Sequence, residues 1–136
     1  MEYFQLTENN DLPAIRQFAP FKVVLAIEDA VSRSRQYEVS KWLVEMGGKY
    51  VMICGANCQS WEESIRQANL EQMNLEDMKP QEFVMITTHH QDKLRNVFWH
   101  AKKQAFHSHV KFENILTIHI GNQHRSVDYL AMFRKA

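Results

Sequence analysis

The stretch Phe83-Val84-Met85-Ile86-Thr87-Thr88-His89-His90, with the segment from Asp92 to Phe106 behind it, decides how the chain is read. Its first four residues are apolar without alternation, the pattern of a strand covered on both faces, and it then empties into four polar side chains. Asp92 can cap a following helix in which Leu94, Val97, Phe98, Ala101 and Ala105 form one long apolar stripe. A buried strand feeding an amphipathic helix is half of a βαβ unit, and such units build parallel sheets.

The same unit recurs on both sides. Phe21-Lys22-Val23-Val24-Leu25-Ala26-Ile27 is an unalternating apolar run that ends at Glu28-Asp29. Ser32 or Ser34 can cap the next helix, where Val39, Trp42, Leu43 and Met46 share one face, and Gly47-Gly48 stops it. Tyr50-Val51-Met52-Ile53-Cys54 is a second buried strand, leaving through Gly55-Ala56-Asn57-Cys58. Ser60 and Glu63 have capping-box spacing and place a helix start at Trp61, with Trp61, Ile65 and Ala68 inward. Asn74 to Glu82 is a polar return loop. Ile115 to Ile120 is a further strand, and Ser126 to Lys135 a last helix with Val127, Leu130 and Phe133 inward. Met1 to Pro20 reads as a covering arm with one or two helical turns at Leu12 to Phe18.

Four apolar strands alternating with helices predict an α/β fold: a three-layer α-β-α sandwich around a mostly parallel four-stranded sheet, Rossmann-like or flavodoxin-like. No linker or repeat divides it. One domain spans residues 1–136, with the arm over 1–20, the core over 21–121 and the C-terminal helix over 122–136.

Composition narrows the function classes. With 136 residues and 45% apolar content, the chain can bury a substantial core. Sixteen basic residues balance sixteen acidic ones at a pI near 7.1, so no overall field favours a nucleic-acid backbone or an anionic membrane. Two cysteines are too few for a disulfide framework, and no signal peptide or membrane-spanning apolar run is read. A soluble cytoplasmic setting is expected.

In a parallel α/β sheet the strands all end on one edge, where ligands bind. That edge should collect Glu28, Asp29, Cys54, Asn57, Cys58, Thr87, Thr88, His89, His90, His119 and Asn122, with His107 and His109 at the opposite edge. Glu28, Asp29, Asn57, Thr87, Thr88 and His119 are the candidate ligand-binding residues. No glycine-rich loop follows the first or second strand, which argues against a phosphate or dinucleotide site, and no cofactor is expected. Cys54 and Cys58 lack zinc-knuckle spacing, so no metal is assigned. Cys58, before a helix start, is the candidate nucleophile and His90 its base. Glu28-Asp29 has the form of a phospho-receiver acidic pair, but no phosphoacceptor Asp ends the third strand.

The helix behind the opening stretch carries a second signal. Trp99 and Phe106, seven apart, lie well over about 100° from the inner stripe, with Lys102 and Lys103 nearby. An aromatic patch rimmed by lysine suits a protein partner or a homodimer contact. Tyr37 and Val44 similarly stand opposite the inner stripe of the first helix.

The series Trp42-Leu43, Cys58-x-Ser60-Trp61-x-x-Ser64-x-x-x-Ala68-Asn69, Phe83-Val84-Met85-x-Thr87-Thr88-x-His90 and Val97-Phe98-Trp99-x-Ala101-Lys102-x-x-Ala105-Phe106-His107 resembles a family of small uncharacterised bacterial α/β proteins. The resemblance spans roughly residues 20 to 121. It implies a bacterial cytoplasmic protein and a common site at Cys58-Ser60-Trp61 and Thr87-Thr88-His90. The family pattern tends to place an aromatic where this chain has His89, which favours His90. The leading expectation is a non-enzymatic protein-binding module, an immunity or regulatory partner; the alternative is a small hydrolase or transferase using Cys58 and His90.

Overall fold

Residues 1–136 are described by a computed structural model. Five strands, β1 (Glu2–Leu6), β2 (Phe21–Ile27), β3 (Gly48–Gly55), β4 (Met85–His89) and β5 (Asn114–Ile120), form one parallel sheet in the order β1-β5-β2-β3-β4. Helices α1 (Arg33–Met46) and α2 (Cys58–Gln72) cover one face, and α3 (Leu94–Lys103) and α4 (Ser126–Lys135) the other. The three-layer α/β architecture is as expected, with five strands instead of four. Leaving β1 aside, the order β4-β3-β2-β5 is the Rossmann arrangement, whose reversal falls between β2 and β5. No helix is long and apolar enough to cross a membrane.

The fifth strand comes from the N-terminal arm. Glu2–Leu6 alternates, sending Tyr3 toward the α3/α4 side and Phe4 and Leu6 toward the other, and its ladder partner is β5, more than a hundred residues away. A short mixed segment of this kind carries no continuous apolar run, so it shows its nature only when paired. The rest of the arm covers the α1/α2 face: Ile15 is fully buried, Leu12 and Phe18 pack beside it, and the Trp42 indole N–H donates to the Pro13 carbonyl at 3.0 Å.

The helix ends have local causes in α1 and tertiary ones in α3. Ser32 caps α1 by accepting from the Arg35 amide at 3.1 Å, and Gly47, at φ 107°, ends it in the left-handed conformation. The start of α2 is earlier than the Ser60-Glu63 pattern implies: the helix begins at Cys58, and the Ser60 hydroxyl instead donates to Gln36 of α1 at 3.2 Å. Asp92 does not cap α3, because its carboxylate is taken by His89. Lys22 Nζ donates to the carbonyls of Ala101 and Ala105 at 2.6 and 3.2 Å, satisfying the end of α3, which stops at Lys103 and leaves Phe106 outside the helix.

Two inward faces also differ from expectation. Val127 is 79% exposed, and α4 instead buries Tyr129 and packs Met132, Phe133 and Ala136, a complete i, i+3, i+4, i+7 set. On α1, Val44 is buried and Tyr37 bonds Glu71 of α2, so the second helix covers the stripe read as free. The opening stretch itself is an edge strand: β4 pairs only with β3, and Phe83 and Met85 are exposed.

Candidate functional site

Along a strand alternate side chains face alternate layers, so the parallel register fixes which residues share a row. Gln5, His119, Ala26, Cys54 and His89 are successive ladder partners across all five strands, on the α3/α4 face near the strand ends. Histidines thus stand on either side of a small centre made by Ala26 and Cys54. Above that centre, Ala26, Ile27, Glu28, Cys54, Gly55, Asp92, Leu94 and Tyr129 line a crevice of about 260 Å³ beside the strand-order reversal.

His119 is 0% exposed and anchors one flank. Its Nε2 lies 3.2 Å from a Glu28 carboxylate oxygen, and its Nδ1 2.6 Å from the Tyr3 hydroxyl. Burial is the largest influence and holds its pKa below the ordinary 6.5, against the opposing pull of Glu28. The neutral ring then has one consistent arrangement, because a carboxylate only accepts: Nε2–H donates to Glu28, and Nδ1 accepts from Tyr3 O–H. The Tyr3 oxygen in turn accepts from the Arg125 amide at 2.9 Å, and Arg125 Nε donates to the second Glu28 oxygen at 3.0 Å. β1, β5, the end of β2 and the start of α4 are bound by this closed network. Gly121 permits it, since a Cβ there would lie 2.7 Å from His119 Nε2 and 2.8 Å from Glu28 Oε1.

The other flank is built on β4 and α3. His89 Nδ1 donates to Asp92 at 2.9 Å, its Nε2 lies 2.8 Å from the Thr87 hydroxyl, and its ring stands 5.1 Å from that of His100. His100 Nε2 is 3.3 Å from the Tyr50 hydroxyl.

The expected residues therefore divide. Glu28 and His119 are joined directly, and Asp29 accepts from the Asn122 amide at 2.9 Å. Thr87 and His89 share the α3 side, while Thr88, one residue on, faces the other layer. Asn57 precedes α2 at φ 56° and makes no capping hydrogen bond with its side chain. His90 is exposed, so the polar network uses His89. His107, as expected, lies away from this edge, its Nε2 donating to the Phe83 carbonyl at 2.9 Å.

Cys58 is buried in the α1/α2 core, its thiol donating to the Gly55 and Ile53 carbonyls at 3.4 and 3.6 Å, and no hydrogen bond joins it to His90. Burial raises its pKa, and pushes that of Cys54 up to about 12. Both are protonated at neutral pH, so the native protein is expected to resist an aromatic disulfide reagent and to release both thiols only on denaturation. Rapid native reaction of either would contradict this placement. No group of three or more His, Cys, Asp or Glu side chains is placed to hold a metal ion.

Of the residues in this site, Tyr3, Arg125 and Tyr129 had no sequence signal as site residues. Asp92 had one, but for a helix cap.

On the outer surface, Trp99 is 45% exposed and lies with Arg95, Asn96, Asp128, Ala131, Met132, Lys135 and Ala136 around a groove of about 750 Å³ between α3 and α4. Phe106 is 74% exposed but lines a different depression at the opposite edge of the sheet, with His107, Val110 and Phe112. The two aromatics are not one patch, because the helix that would align them ends first. Lys102 is engaged, with Nζ 3.2 Å from the Ala136 carbonyl and 4.5 Å from the Phe133 ring centre; Lys103 is exposed.

Fold and site together define an open parallel α/β domain with a crevice over the ends of β2 and β3, beside its strand-order reversal, and a separate helix-pair groove. The chain belongs to the family described as Domain of unknown function (DUF7684), whose model matches residues 1–136. No curated protein and no solved structure matches the chain.

Proposed function

We propose that this protein is a non-enzymatic, protein-binding module of the bacterial cytoplasm, acting as an immunity or regulatory partner through the α3/α4 groove. The observation that carries the reading is Trp99, left 45% exposed beside Ala131 and Met132. Exposed tryptophan beside an apolar floor is the composition of an interface anchor. Arg95 and Lys135 outnumber Asp128 on the rim, so the partner presents an acidic segment with an apolar side chain for the floor. Bacterial and cytoplasmic origin rest on the sequence resemblance. The enzymatic alternative finds no support in Cys58, which is buried and protonated.

Wild-type protein immobilised in a lysate of its native host is expected to retain a defined partner, and Trp99→Ser to weaken retention by about tenfold or more. Because Trp99 stands half outside the core, the variant should keep the wild-type urea midpoint. Equal retention by both proteins would overturn the groove assignment. A concentration-dependent dimer abolished by the same substitution would make the acidic partner a second copy of this chain.

A further inference from the structure

We propose that the crevice lined by Glu28, Asp92 and Tyr129 binds a small organic molecule carrying a protonated amine. This site shares no lining residue with the α3/α4 groove, so it stands or falls independently of the protein-binding reading.

The charged side chains that line the crevice are Glu28 and Asp92. Arg125 and His119 hold Glu28, and His89 holds one Asp92 oxygen, which fixes both carboxylates in place while leaving acceptor capacity on each. An anion is repelled from such a lining, in keeping with the absence of a glycine-rich loop. A metal ion lacks a ligand set.

Tyr129 supplies the independent observation. Its side chain lines the crevice and is 9% exposed, and while its ring packs against His119 at 5.0 Å and Tyr3 at 5.5 Å, no group of the protein hydrogen-bonds its hydroxyl. The hydroxyl is not sealed from solvent, since the one buried side-chain oxygen without a partner is on Glu82, so it reaches the crevice with its hydrogen-bonding capacity unused by the protein and open to a ligand or water. Burial pushes its pKa up to about 12, with the negative charge of Glu28 adding to the effect, so it remains a neutral hydroxyl. An alkylammonium has three N–H donors, and the crevice offers three acceptors: two carboxylates and the Tyr129 oxygen.

Ala26, Ile27, Leu94 and Gly55 complete the wall and suit an apolar body attached to the amine. At about 30 Å³ per water-sized group, the space takes on the order of ten non-hydrogen atoms. Benzylammonium and n-butylammonium are therefore suitable probes.

In two-dimensional amide NMR of the full chain, benzylammonium should shift the resonances of Glu28, Gly55 and Leu94 saturably, while benzoate and benzyl alcohol bind at least about tenfold more weakly. Tyr129→Phe keeps the ring and removes only the oxygen, and is expected to weaken benzylammonium about tenfold; Asp92→Asn should do the same. Four results would overturn the proposal: no saturable shift below about 10 mM for either amine, benzoate binding as well as benzylammonium, the same shifts from magnesium alone, or unchanged affinity in a folded Tyr129→Phe.

Discussion

Replacing His119 with alanine is expected to remove about 3 kcal/mol of folding stability, combining a cavity in the central sheet with two polar groups that each lose one partner. His119 is fully buried on β5, between β1 and β2, and its loss strips the Tyr3 hydroxyl of its acceptor and Glu28 of a donor. Urea unfolding should show the lowered midpoint without a change in slope, since the same surface is exposed on unfolding. A loss under about 1 kcal/mol would mean that the network contributes little to holding β1 and α4. Gly121→Ala should reproduce part of the effect, because its new methyl would displace Glu28 from His119.

Two histidines, one on each flank of the site, make stability depend on pH. Burial is the leading cause of the lowered pKa of both His119 and His100, whose ordinary value is 6.5. The unfolded chain therefore binds more protons in the interval between the folded and unfolded values. Their contribution is complete above pH 6.5 and is lost as the pH falls from there through the folded-state values. Glu8 and Glu71, held below the ordinary 4.5 first by hydrogen bonds from Ser32 and Tyr37, lose theirs only in more acidic solution. The urea midpoint should drop between about pH 7.5 and about pH 5.5, and this drop should shrink in His119→Ala.

Gly55→Ala is expected to be at least as damaging, at about 3 kcal/mol or more, because it combines left-handed backbone strain with a backbone clash. Gly55 ends β3 at φ 93°, and the chain turns there so closely over β2 that a Cβ would lie 2.1 Å from the Ile27 carbonyl oxygen. That oxygen accepts from the Ala56 amide at 3.0 Å, so it cannot retreat without breaking the turn that forms the crevice wall. Soluble yield and urea unfolding report the effect. A variant within about 1 kcal/mol of wild type would show that the turn rearranges freely.

The crevice and the groove differ in how far they were legible. Glu28 and His119 follow runs of apolar residues long enough to mark strand ends, and the parallel arrangement alone puts such ends on one edge. Trp99 was readable as surplus to its helix face. Phe106 was not readable as separate from it, because α3 is ended by Lys22, a residue of β2 whose ammonium reaches the terminal carbonyls. Asp92 was read as a cap because a carboxylate before a helix is the usual donor-satisfying group, yet His89 competes for it successfully.

The sequence by itself determined the alternation of apolar strands and amphipathic helices, a start of α1 at Ser32 or Ser34 with a stop at Gly47-Gly48, and the order along the chain that separates His107 from the strand-end residues, because each is carried by residues within a few positions of one another. Only the tertiary structure decided that β1 joins the sheet, that the stretch from Phe83 to His90 lies at its edge, and that Tyr3, Glu28, His119 and Arg125 close one network. Strand order and side-chain networks are made by hydrogen bonds between residues distant along the chain. Such bonds leave no period or spacing in the local sequence, and they exist only once packing has brought their partners together.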